Sequence, residues 1–94
     1  MKTYLALVHK DADSAYGLTF PDLPGCFAAA DTEGEILRAG IEALELWFED
    51  AAPVTPRGPA EIAAEVAADL STGAFLIAVP LVQPSSRQKR VNIS

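Results

Sequence analysis

The sequence contains a single cysteine, Cys26, and a single histidine, His9. One thiol cannot close an intramolecular disulfide, and one thiol with one imidazole falls short of the ligand set of a structural zinc or iron-sulfur site, so no metal or cofactor is expected. No apolar run approaches the roughly 20 residues that a bilayer-crossing helix needs. The apolar stretch that begins at Tyr4 meets charge at Lys10 before a signal-peptide core is complete. No membrane partner is expected, and a reducing cytoplasm is the expected compartment. Basic residues are scarce as well, 7 against 13 acidic for a net charge of -6. Such a field repels phosphate, which argues against nonspecific binding to nucleic acid or anionic lipid and favours a basic partner.

Ninety-four residues provide for one small domain and not for two separately packed cores. Of the 47 apolar residues 17 are alanine, so the core rests on ten Leu, six Val, five Ile, four Phe, two Tyr and Trp47. Within residues 3–9, Tyr4, Ala6 and Val8 alternate with Leu5, Leu7 and His9. Both faces are largely apolar, which predicts a strand near the middle of a sheet. A polar loop at 10–14 leads to a second strand at 16–20, where Tyr16, Leu18 and Phe20 alternate with smaller or polar residues. Pro21-Asp22-Leu23-Pro24-Gly25 specifies a tight reversal, with Gly25 free to take positive φ, and a third strand follows over 26–30.

Thr32-Glu33-Gly34-Glu35 matches a capping box and predicts a helix start. Ile36, Leu37, Gly40, Ile41, Leu44, Trp47, Phe48 and Ala51 form one apolar stripe, opposite Glu42, Glu45 and Glu49. Gly40 costs helix propensity, and a close approach to a strand is its expected purpose. Pro53, Pro56, Gly58 and Pro59 make a stiff connection to an Ala-rich helix at 60–70 whose large side chains are Ile62, Val66 and Leu70. The apolar run 74–79 reads as a fourth strand covered on both faces. The expected fold is α/β (α+β): an open sheet in the order strand, strand, strand, helix, helix, strand. The first three strands form an antiparallel meander. A right-handed crossover is expected to set the fourth parallel to the first and beside it, with the helices on one face.

Residues 1–82 carry a net charge of -9 and residues 83–94 a net charge of +3. The first segment is expected to be the domain and the second a basic linker or tail. Arg90-Val91-Asn92-Ile93 alternates like the opening of a further strand that lacks a continuation.

Catalytic readings find little support. A metal-dependent nuclease needs converging carboxylates, but Glu42, Glu45 and Glu49 fall on the solvent side of their helix and Asp22 lies in a turn that favours Asp for local hydrogen bonding. A Cys26–His9 nucleophile pair has nothing in its spacing to support it. A buried small hydrophobe and a solvated strand-end histidine are the expected roles.

Tyr16-Gly-Leu-Thr-Phe-Pro-Asp-Leu-Pro-Gly-Cys26, followed by Ala30-Asp31-Thr32 and a helix rich in Glu and Ala, resembles the amino-terminal domain of HicB antitoxins over residues 3–82. The resemblance implies a partial ribonuclease-H-like sheet without catalytic acids. It implies a domain that binds and neutralises a HicA-like toxin, a small basic ribonuclease of mRNA, and that assembles into dimers or tetramers. The sheet's edge strands provide a place for such pairing. Two surfaces are candidates for the toxin: the helix stripe Glu42, Glu45 and Glu49, and the turn rim at Asp22 and Leu23. Many HicB proteins continue into an operator-binding domain. Lys89 to Ser94 resembles the start of a ribbon-helix-helix strand, which makes Arg87, Lys89, Arg90 and Asn92 the candidate DNA contacts if a carboxy-terminal domain exists. The alternatives are a fragment of a transcriptional repressor and a degenerate ribonuclease-H-like nuclease using Asp22 or Asp31.

Overall fold

The computed structural model describes residues 2–10 and 15–82. Three strands come first, β1 (Thr3–Lys10), β2 (Tyr16–Thr19) and β3 (Phe27–Ala30). A single 3-10 turn (Glu33–Glu35) precedes helix α1 (Ile36–Trp47), and the short helices α2 (Pro59–Glu65) and α3 (Ala67–Leu70) lead to β4 (Phe75–Pro80). The strands form one sheet in the order β3-β2-β1-β4.

Alternation along β1 decides what covers each face. Tyr4, Ala6 and Val8 are fully buried on the face packed by α1, together with Leu18, Phe20, Leu23, Leu44 and Val79. Leu7 points to the opposite face and packs with Ile62 and Val66 around α2, beside Leu5, Leu70 and Leu76. The helices therefore lie on both faces of the sheet, and the one-face expectation is corrected.

Covering both faces also sets the direction of β4, which is antiparallel to β1 with Tyr4 opposite Val79 and Val8 opposite Phe75. The expected parallel fourth strand is thus overturned. A single helical pass returns the chain to the end where β3 starts and makes the next strand parallel. Here α1 makes one pass on the first face and α2 with α3 make a second on the other. The chain then enters β4 from the end where β3 finished, and Leu81 closes the sheet by donating its amide to the Lys2 carbonyl at 2.8 Å.

Local chemistry explains the element ends. The Pro21–Gly25 reversal is tied by the Leu23 amide on the Phe20 carbonyl and the Cys26 amide on the Leu23 carbonyl, with Gly25 at φ 88°. That conformation strains any side chain. The expected capping box at Thr32 is absent: Thr32 makes no side-chain cap, and the Glu35 amide bonds the Thr32 carbonyl instead, which opens the helix with the 3-10 turn. The reciprocal half of such a box occurs at α2, where the Glu61 carboxylate accepts from the Gly58 amide at 3.2 Å. Gly40 is the contact that lets α1 sit close to the sheet. A Cβ there would lie 3.1 Å from Val79 Cγ2 and 3.4 Å from Leu18 Cδ2.

Because those neighbours are core residues with no room to retreat, Gly40→Leu is expected to destabilise the domain by about 1–3 kcal/mol. Thermal unfolding followed by circular dichroism should show a midpoint lowered by about 5–15 °C.

Candidate protein-binding surface

The turn after β2 is held from a distance. Both Asp22 carboxylate oxygens are occupied by Arg57, Oδ2 by its backbone amide at 2.9 Å and Oδ1 by Nε at 2.5 Å. Arg57 Nη1 also reaches Glu65 of α2 at 2.7 Å. The buried Tyr4 hydroxyl donates to the Val54 carbonyl, and its ring packs on Phe48 with centroids 5.4 Å apart. Together these contacts pin residues 53–58 under the sheet as a strap joining its two faces. Hydrogen bonds to Asp22 and Glu65 hold the Arg57 guanidinium firmly in its charged form. Burial, and then the Asp22 charge, pushes the Tyr4 hydroxyl above its usual range.

The expected rim at Asp22 and Leu23 is tied into the fold. Leu23 has no exposed surface, and the Asp22 side chain is 6 % exposed with both oxygens engaged. Cys26 and His9 are separated. Cys26 is buried on the α1 face, its thiol 3.7 Å from the Ala43 carbonyl, whereas His9 is exposed on the opposite face beside Gly17.

The helix stripe has a different environment. Glu42 and Glu49 are exposed on α1 and just beyond its end, Glu45 is half-buried, and Leu46 stands 67 % exposed among them. Glu42 also borders a shallow cleft of about 230 Å³ between α1 and the edge strand β3, lined by Ala29, Ala30, Asp31, Glu35, Arg38 and Ala39. The acidic surface thus runs from the β3 edge along the outer side of the helix. Asp31 and Glu35 belong to it although the sequence reading assigned them other roles. The signal was the spacing of Glu35, Glu42 and Glu49 at intervals of seven, which puts three carboxylates on one helical line. Arg87, Lys89, Arg90 and Asn92 lie outside the described residues.

An acidic helix face thus lies beside an open sheet edge, with the Cys26 thiol buried and the Asp22 carboxylate engaged. The chain belongs to the HicB_like antitoxin family of bacterial toxin-antitoxin systems, whose family model matches residues 4–94. Among solved structures, the crystal structure of the Burkholderia pseudomallei antitoxin HicB is 28% identical with a TM-score of 0.64, covering 87% of this chain and 63% of that one. The antitoxin HicB3 is 25% identical with a TM-score of 0.65, covering 88% and 63%. This chain thus spans 63% of the length of those two antitoxin chains. A chain of the HicA3 and HicB3 toxin-antitoxin complex shares the fold at a TM-score of 0.65 and 23% identity, covering 86% of this chain and 99% of that one. Among curated proteins, none matches the sequence. No helix among the described residues is long and apolar enough to cross a membrane.

Two outcomes follow from this geometry. Asp22→Ala releases the strap, so trypsin should cut at Arg57–Gly58 roughly tenfold faster than in the parent chain, read by mass spectrometry of the fragments. Burial pushes the Cys26 thiol up to about 11 from 9.0. At pH 8 its alkylation by iodoacetamide should run about a hundredfold slower in the folded chain than in urea, rising as pH approaches 11.

Proposed function

We propose that this chain is the antitoxin of a type II toxin-antitoxin pair, and that it neutralises a small basic HicA-like ribonuclease of mRNA by binding it. The observation that carries the reading is the family match over nearly the whole chain. The fold shared with a chain of the HicA3 and HicB3 complex supports it. So does the net charge of -9 over residues 1–82, which attracts a basic protein and speeds encounter. We assign the docking surface to Glu42, Glu45 and Glu49 with Asp31 and Glu35 alongside, and Leu46 as its apolar centre.

Inhibition in this reading is occlusion. Carboxylates that pair with the lysines and arginines a ribonuclease uses for RNA phosphates compete directly with substrate. No residue is assigned a catalytic role, and the place of action is the cytoplasm, where mRNA is found. We read the β1–β2–β3 meander with α1 as a partial ribonuclease-H-like unit, from which the antiparallel β4 departs. Residues 1–82 are assigned as the toxin-binding domain. The basic segment 83–94 is assigned as the beginning of a DNA-contacting element through Arg87, Lys89, Arg90 and Asn92, effective only with further chain or with oligomerisation to multiply the contacts.

The test is a ribonuclease assay with the HicA-like protein purified alone and titrated with residues 1–94. Cleavage should fall to background at stoichiometric antitoxin. Glu42→Lys combined with Glu49→Lys should raise the inhibition constant by roughly tenfold to a hundredfold, and added salt should weaken the parent complex more than the variant. Full cleavage at excess parent chain contradicts the reading.

A further inference from the structure

Strand β3 is an edge of the sheet, and its outer side carries unpaired backbone. The Phe20 amide donates to the Cys26 carbonyl at 3.4 Å. Bonded and non-bonded pairs alternate along an antiparallel ladder, so Leu18–Ala28 and Tyr16–Ala30 are the next bonded pairs. The amides and carbonyls of Phe27 and Ala29 therefore point away from β2, where an open edge is a template for another strand. Side chains differ on the two faces beside this edge. On the α1 face lies the cleft of about 230 Å³, with the carboxylates of Asp31, Glu35 and Glu42 against the one guanidinium of Arg38. On the other face Leu7, Thr19 and Phe27 lie opposite one another in register, and burial falls away along that row. Leu7, packed with Ile62 and Val66, is 5 % exposed, whereas Phe27 is 68 % exposed. The cover that α2 gives to Leu7 does not extend to β3.

We propose that the β3 edge takes an extended segment of the basic partner as a fifth strand, one in which basic and apolar side chains alternate. Successive side chains of a strand point to opposite faces. A segment paired with β3 thus sets every second residue over the carboxylates between α1 and β3, and the residues between them against Phe27 and Ala29. Main-chain bonds supply the affinity and the alternating contacts the selectivity. The β4 edge fits such a segment poorly. Phe75–Pro80 holds no charged side chain, and the apolar groove of about 380 Å³ beside it has Glu33 as its one carboxylate. A second copy of this chain fits the β3 edge poorly too, because pairing there brings together the carboxylates of two domains that each carry -9 over residues 1–82. The identity of the partner, a basic ribonuclease, rests on the function proposed above; recognition of the segment does not.

The probe is a synthetic peptide in which arginine and valine alternate, its ends blocked, compared with an isomer that carries all its arginines before its valines. Nuclear magnetic resonance of residues 1–94, titrated to about 1 mM peptide, reads the dissociation constant and the exchange of each amide. The alternating peptide should bind at least about tenfold tighter than its isomer. It should slow exchange of the Phe27 and Ala29 amides by about tenfold or more and leave residues 75–80 unchanged. Ala29→Pro removes an outward amide and none of the bonds to β2, a substitution that edge strands tolerate. It should weaken binding by at least about tenfold, with circular dichroism confirming the fold. Phe27→Ser should weaken binding from the side-chain side, and Glu35→Gln with Glu42→Gln should flatten its salt dependence. No binding of the alternating peptide overturns the proposal, as does equal binding of the isomer, which charge alone would give. So does binding that leaves the Phe27 and Ala29 amides unchanged, or protection of both in the free chain, as a second copy on the edge would give. The purified HicA-like ribonuclease should protect the same two amides. Inhibition without that protection overturns strand addition and leaves the antitoxin reading standing. Peptide binding as expected, with a ribonuclease that the parent chain does not inhibit, does the reverse.

Discussion

The structure depends on a single strand with two apolar faces. Tyr4, Ala6 and Val8 on one side of β1 and Leu5 and Leu7 on the other each need cover, and a small chain has one long helix with which to provide it. That helix, α1, takes the larger face. The second is left to α2 and α3, a pair of short Ala-rich helices anchored mainly by Ile62 and Val66. Crossing from one face to the other requires the strap at 53–58, and the second helical pass reverses the direction from which β4 enters. Strand direction, helix placement and strap are consequences of one requirement: burial on both sides of β1.

The strap connects this requirement to function. Its anchors are the Tyr4 hydroxyl on Val54 and the Asp22 carboxylate on Arg57, both at the end of the sheet away from the α1 start. They engage the turn that carries the family resemblance, so that distinctive stretch of the sequence holds the strap to the sheet. The docking surface proposed above lies elsewhere, on α1 and the β3 edge. Glu42 and Glu49 remain exposed, and the cleft with Asp31 and Glu35 opens along the β3 edge. The carboxylates gather on that side of the sheet, and the uncharged strand lies on the other.

The strands and α1 were legible from local pattern alone, because alternation in β1 and β2 and the seven-residue stripe of α1 are periodic over their full length. Gly25 and Gly40 were legible for stereochemical reasons, and the structure gives them the positive φ and the close contact expected. Leu37 was misplaced. It sits within the apolar stripe, yet it faces the edge where no further strand covers it and remains half-exposed. The direction of β4 was not legible, since three large side chains on an Ala-rich helix do not announce which face of a sheet they will meet. Nor was the Asp22–Arg57 pair, whose members are 35 residues apart. The Thr32 capping box had the right residues, but the first turn tightened into 3-10 geometry and backbone bonds replaced the side-chain ones. On the candidate surface, Glu42 and Glu49 could be read from helical phase, whereas Asp31 and Glu35 needed the packing of α1 beside β3 to join them.

The central claim is that the acidic side of α1 and the adjoining β3 edge, and not the turn rim, receive a small basic ribonuclease. Amide hydrogen exchange of residues 1–94, free and saturated with the HicA-like ribonuclease, tests it most directly. The account predicts slower exchange in residues 27–49 on binding, with residues 75–80 unchanged between the free and bound forms. Protection confined to residues 75–80, or to the 20–25 turn with no change along α1, would contradict it.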